Sequence, residues 1–131
     1  MATIFTKIIN QEIPNFKIAE DDLFYAFLDI SPLEKGHTLV VPKKEVDYIF
    51  DLEDELLAKF NVFSKKVALA IESVIDCKRI GIAVIGLEVA HAHIHLIPLY
   101  EDAINFSKPR LNIKDEELKA IAASISAKVS L

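Results

Sequence analysis

Residues 89–98 read VAHAHIHLIP, which places His91, His93 and His95 two apart and interleaves them with Ala92, Ile94 and Leu96. On a β-strand, side chains two apart share a face. The spacing therefore predicts a strand with three imidazoles on one side and small or aliphatic residues on the other, facing a core. A one-residue slip would bury the histidines in that core, so the register is firmly specified. The chain holds only four histidines, and the fourth, His37, follows Gly36 in the segment EKGHTLVVPKK. Three imidazoles in register are not explained by solubility or packing.

Working outward, Ile80, Ile82 and Val84 in RIGIAVIG predict a strand before the histidines, with a tight turn at Gly86. FKIAE and LFYAFLDI flank Asp21-Asp22 and predict a hairpin, and HTLVVP another short strand. Leu52, Leu56, Phe60, Phe63, Val67, Ile71 and Val74 step by three or four, the stripe of a long helix covering a core. A short opening helix capped by Thr3 ends before Pro14. A closing helix, capped by Asn112, presents Leu118, Ile121, Ala122, Ile125 and Val129. The order predicts one α+β domain over 1–131, with a mainly antiparallel five-stranded sheet and helices on one side.

The 131 residues are 52% hydrophobic with three glycines and a net charge of −5. That balance argues against a nucleic-acid polymer or an anionic membrane as partner. The single cysteine, Cys77, excludes an internal disulfide and a Cys-rich zinc site. With no signal-peptide pattern and no run of transmembrane length, the expectation is a soluble cytoplasmic protein.

Two chemistries suit the histidine row. H-x-H on a strand can share a metal ion, with His37 or Glu88 completing the set. Strand geometry separates alternate side chains by roughly 6.5–7 Å, so all three cannot reach one ion at distances of about 2 Å. The other chemistry is on phosphate: an extended anion lies along the row, the middle ring attacks phosphorus and its neighbours donate hydrogen bonds.

His91-Ala92-His93-Ile94-His95-Leu96-Ile97 resembles the signature of the histidine triad family of nucleotide hydrolases and transferases. IFTKIINQEIP, AFLDISP and GHTLVVPKK resemble its opening helix, ribose strand and upstream histidine strand, in the same order. The resemblance implies hydrolysis at the α-phosphate of a phosphoramidate or dinucleoside polyphosphate, through a nucleotidyl-histidine. It implies that His93 is the nucleophile, that His91 and His95 contact phosphate or orient the middle ring, and that His37 completes the cluster. Asp29 is implied to bind the ribose hydroxyls, and Ile4, Phe5, Ile8, Phe27 and Ile30 to wall the base, usually a purine. A histidine at position 95 places the chain on the hydrolase side rather than with the uridylyltransferases. No cofactor and no metal is implied, and a homodimer with the sheet extended across it is. Thr6 stands where some relatives carry a zinc-binding cysteine. The loop before the triad departs from the family pattern, with Leu87 where an amide is common and Glu88 where a hydroxyl is common. A metal-binding module or metal-dependent enzyme, and a nucleotide-binding protein with little turnover, are the alternatives. Lys43 and Lys44 are expected at a solvated strand end. Glu88 is expected either on the solvent side or rotated back towards the histidines by the turn at Gly86.

Overall fold

The computed structural model describes residues 2–131. Helix α1 spans Ile4–Ile9, and strands β1 (Lys17–Glu20), β2 (Phe24–Leu28) and β3 (Thr38–Pro42) follow. After a single 3-10 turn comes α2 (Asp54–Val74), then β4 (Arg79–Ala83), β5 (Ile94–Leu99) and α3 (Asp115–Ser126). The five strands form one antiparallel sheet, as the element order predicts, and they lie in the order β1-β2-β3-β5-β4.

The sheet separates two apolar clusters, and each central strand serves both. Phe24, Ala26 and Leu28 of β2, Val40 of β3, and Ala92, Ile94 and Leu96 face α2 and α3. Phe60, Phe63, Val67 and Ile71 of the predicted α2 stripe are buried there, and Phe60 stacks on Phe24 at 5.4 Å between ring centroids. Tyr25, Phe27, Leu39 and Val41, the alternate residues, point the other way and pack with Phe5 and Ile8 of α1. The helices are therefore not all on one side: α1 covers the face that carries the histidines.

Three local expectations change. Strand β5 begins at Ile94, so His91 and His93 lie in the segment leading into it. Pairing with β3 stops at Val40↔Ile94, because Pro42 has no N–H to offer and its carbonyl accepts from the His91 ring instead. The alternation of faces persists without the ladder, and Ala92 N–H is satisfied by Val46 O at 2.7 Å. Gly86 does adopt positive φ (+76°), but residues 84–93 form an extended loop rather than a tight turn. Finally, α3 starts at Asp115 with Lys114, not Asn112, at the cap position. Ile113 is buried and holds the chain extended, and Asp115, Glu116 and Glu117 then offset the helix dipole in place of a side-chain cap.

Gly36 sets the approach to His37. Its φ is +93°, and a Cβ there would stand 3.0 Å from Ile75 Cγ1. Gly36→Ala should cost about 1–3 kcal/mol from the backbone conformation alone. Denaturant titration of the two proteins checks it, with equal midpoints as the contrary result.

Candidate active site

All four histidines are buried, and each ring makes a hydrogen bond that fixes its neutral tautomer. The decisive partners are backbone groups that can act only one way. Leu33 N–H donates to His37 Nδ1 at 3.0 Å, so the proton of His37 resides on Nε2. That Nε2–H donates to His95 Nδ1 at 3.0 Å, which leaves His95 with an Nε2–H to offer. At the other end, His93 Nδ1 lies 2.8 Å from His91 O. A carbonyl only accepts, so His93 Nδ1 carries the proton and the neutral ring has a lone pair on Nε2. His91 Nε2–H donates to Pro42 O at 2.7 Å by the same logic, and its Nδ1 accepts from the Thr3 hydroxyl, also at 2.7 Å.

Burial is the main force on the charges. It pushes His37 down to about 3, with His95 and then Arg110 adding repulsion. It pushes His95 down to about 4, helped by His93 and Arg110. His91 is lowered for the same first reason. Asp29 moves the opposite way: burial raises it, against the Ser31 N–H and the Arg110 charge. With His37 neutral, its 3.7 Å approach to Asp29 is not an ion pair.

His93 and His95 meet edge to face at 5.1 Å, and both line a cavity of about 230 Å³ with Leu87, Glu88, Phe106 and Arg110. Glu88 borders this cavity while remaining exposed to solvent. A larger groove of about 770 Å³ beyond β5 contains none of the histidines. Phe5 packs on His91 at 5.7 Å, His93 at 5.0 Å and Phe27 at 5.7 Å, so Phe5, Ile8 and Phe27 form one buried wall beside the triad. Ile4 and Ile30 differ from them: they are 49% and 64% exposed and lie outside that wall. Lys43 pairs with Glu20 at 2.7 Å, a strand-end contact as expected.

Several residues at the site carry no pattern in the sequence. Thr3 caps α1 through Thr6 N–H while its hydroxyl holds His91, and its own N–H and the Thr6 hydroxyl both donate to Glu45 at 2.7 Å. Through Thr3, Thr6 and Glu45 this chain has a hydrogen-bonded clasp between α1 and the triad. Phe106 and Arg110 return from the segment before α3. Among the described residues one group has metal-binding composition, Asp29, His37 and His95, with ligand atoms within 4.8 Å of one another. The His37–His95 hydrogen bond already occupies the two nitrogens that face each other, and a shared ion would have to break it.

The buried neutral rings give the pH dependence of stability. Their folded values lie below the ordinary 6.5, so the unfolded chain binds protons first on acidification. Stability is full above about pH 6.5 and is lost as the pH falls towards about 4 and 3, by at most about 1.4 kcal/mol per pH unit for each histidine. Denaturant titrations at pH 7, 6 and 5 measure it, and flat stability would contradict the neutral pair.

Residues 10–102 match the family model of the HIT domain. The adenosine 5'-monophosphoramidase of Schizosaccharomyces pombe is 38% identical over 133 residues, covering 98% of this chain and 99% of its own. Protein hit of Bacillus subtilis is 36% identical over 138 residues, covering 97% and 94%. The crystal structure of a Hit-like protein from Bartonella henselae superposes with a TM-score of 0.83 at 33% identity, covering 96% of this chain and 95% of its own.

Proposed function

The chain belongs to the HIT-domain family, and from that premise we propose that it hydrolyses nucleotides at the α-phosphate, with His93 as nucleophile. The observation that carries the reading is the His93 Nδ1–H bond to His91 O, which leaves the Nε2 lone pair available beside the cavity. Attack by Nε2 on phosphorus forms the P–N bond to His93 and breaks the bond to the leaving group. An amine leaving group takes its proton from water. The modified ring is cationic, and His91 O then holds a stronger, charge-assisted bond. His95 Nε2–H stabilises the phosphate oxygens without giving up its proton. Water attacks the same phosphorus, loses a proton and restores His93.

Asp29 accepts the ribose hydroxyls, and Phe5, Ile8 and Phe27, with Ile4 and Ile30 covered by the bound base, receive a purine. The likeness to the adenosine 5'-monophosphoramidase of Schizosaccharomyces pombe supports an adenosine phosphoramidate as the first substrate to try. Rapid quench with that compound should show a transient adduct heavier by one adenylyl group. His93→Ala should lose both adduct and turnover, and chelators should leave the rate unchanged. Wild-type turnover in His93→Ala would overturn the mechanism; tight AMP binding without turnover would leave a binding protein.

The same reading includes a homodimer. Strand β4 is a sheet edge, and Ile82 on it is 56% exposed. Beside it, Phe50 is 70% exposed and lines an apolar groove with Leu57 and Ile85. A second copy joined about a two-fold axis covers these surfaces and continues the sheet. Sedimentation should give a dimer at micromolar concentration and a monomer for Ile82→Asp, whereas a wild-type monomer would remove the dimer.

A further inference from the structure

Arg110 lies beyond residues 10–102, the part of the chain that the family model matches. The fold nevertheless returns it to the histidines. The irregular segment between β5 and α3 is pinned over residues 108–111. Lys108 Nζ donates to Glu34 at 2.7 Å, Arg110 Nη1 to Ser31 O at 2.8 Å, and Leu111 N–H to Pro32 O at 2.8 Å. These contacts bring Phe106 and Arg110 to the wall of the cavity that contains His93 and His95. The Phe106 ring meets His95 edge to face at 4.9 Å, and the Arg110 guanidinium carbon stands 5.9 Å from the centroid of the Phe106 ring.

The guanidinium is positioned without being neutralised. Its nearest carboxylate, Asp29, is 3.5 Å from Nη1, long for a charge-assisted bond, and the Arg110 side chain retains 35% exposure. The contacts to Ser31 and Asp29 both use Nη1, whereas a guanidinium carries five N–H donors. A positive charge with unused donors thus lines a cavity whose histidine pair includes the neutral His95.

Attack on an α-phosphate concentrates negative charge on the non-bridging oxygens, and a preorganised cation there is worth more than the same contact in water. A neutral imidazole supplies a dipole only. The loop before the triad presents Leu87 and Glu88 at this cavity, and neither side chain donates a hydrogen bond to an oxygen. Arginine, with a planar fork that matches phosphate geometry, is suited to fill the gap. We infer that Arg110, seated on Phe106, is the phosphate-binding residue of this site. Glu88, on the same cavity, selects against a long polyphosphate chain. The substrate class is a nucleoside monophosphate derivative carrying one phosphate charge and an uncharged or cationic leaving group. This inference rests on the nucleotide-site reading above, and binding tests it apart from turnover.

Calorimetric titration of AMP and of adenosine into wild type, Arg110→Gln and Arg110→Lys reads the phosphate contact as a ratio. Arg110→Gln should weaken AMP about 10–100-fold while adenosine changes less than about twofold. Arg110→Lys should fall between, since it keeps the charge and loses the fork. Equal weakening of AMP and adenosine would assign Arg110 to holding Asp29 and Ser31, and would overturn the inference. An unchanged AMP affinity, or a wild type with no preference for AMP over adenosine, would overturn it too. If Arg110→Gln does not fold, Arg110→Lys decides by the same ratio: a several-fold fall supports the phosphate contact and an unchanged ratio refutes it. An AMP preference lost in Arg110→Gln, with no wild-type turnover of adenosine phosphoramidate, would sink the hydrolase reading and leave this one standing. Turnover with an AMP preference indifferent to Arg110 would do the reverse.

Discussion

One backbone N–H, that of Leu33, fixes the protons of two of the four rings at the site. It can only donate, so His37 Nδ1 must accept, and the proton pattern follows through His37 Nε2 to His95. The carbonyls of His91 and Pro42 impose the opposite requirement on His93 and His91. All four rings are no more than 8% exposed. Reversing any one tautomer would set donor against donor or leave a buried group unpaired, at about 1–3 kcal/mol. Three nearly identical side chains two residues apart are thereby given different chemical roles. His93 holds a lone pair, His95 offers a proton, and His91 is committed at both nitrogens.

The sheet makes that pattern possible by keeping the two faces apart. Strands β2 and β3 carry apolar residues on both sides, and a one-residue slip would exchange the set packed on α2 and α3 for the set packed on α1. One face packs on α2 and α3. The other face carries the histidines and is closed by α1, which Thr3 and Glu45 tie to His91. The apolar wall of Phe5 and Ile8 and the His93 ring are therefore positioned by one network, so a shift of α1 would be felt at His91 and, through its carbonyl, at His93. Where the chain leaves the sheet, two irregular segments close the cavity: the loop with Leu87 and Glu88, and the segment with Phe106 and Arg110.

Much of this was legible in the sequence because periodicity encodes it. Two-residue alternation revealed the histidine face, and three-to-four spacing revealed α2. The departures trace to effects that periodicity does not report. The start of β5 depends on a missing N–H at Pro42 in a different strand. The position of α3 depends on burial of Ile113, which outweighed the capping preference of Asn112. The face occupied by α1 depends on which of two apolar sets it meets, and both read alike as core. Arg110 was invisible for a simpler reason: it sits in an irregular segment, 15 residues after His95, with no period or neighbouring motif to connect it to the triad. The clasp of Thr3, Thr6 and Glu45 was half visible, since Thr3 read as a helix cap and nothing in the chain linked it to His91.

The different roles of the four rings rest on the distribution of their protons, and nitrogen-15 NMR of the imidazoles at pH 7 measures that distribution. Long-range proton–nitrogen correlations should show His93 protonated at Nδ1 with an unprotonated Nε2. His37, His91 and His95 should carry the proton at Nε2 and none at Nδ1. A His93 ring with its proton on Nε2, or a charged His37 or His95 at that pH, would contradict it.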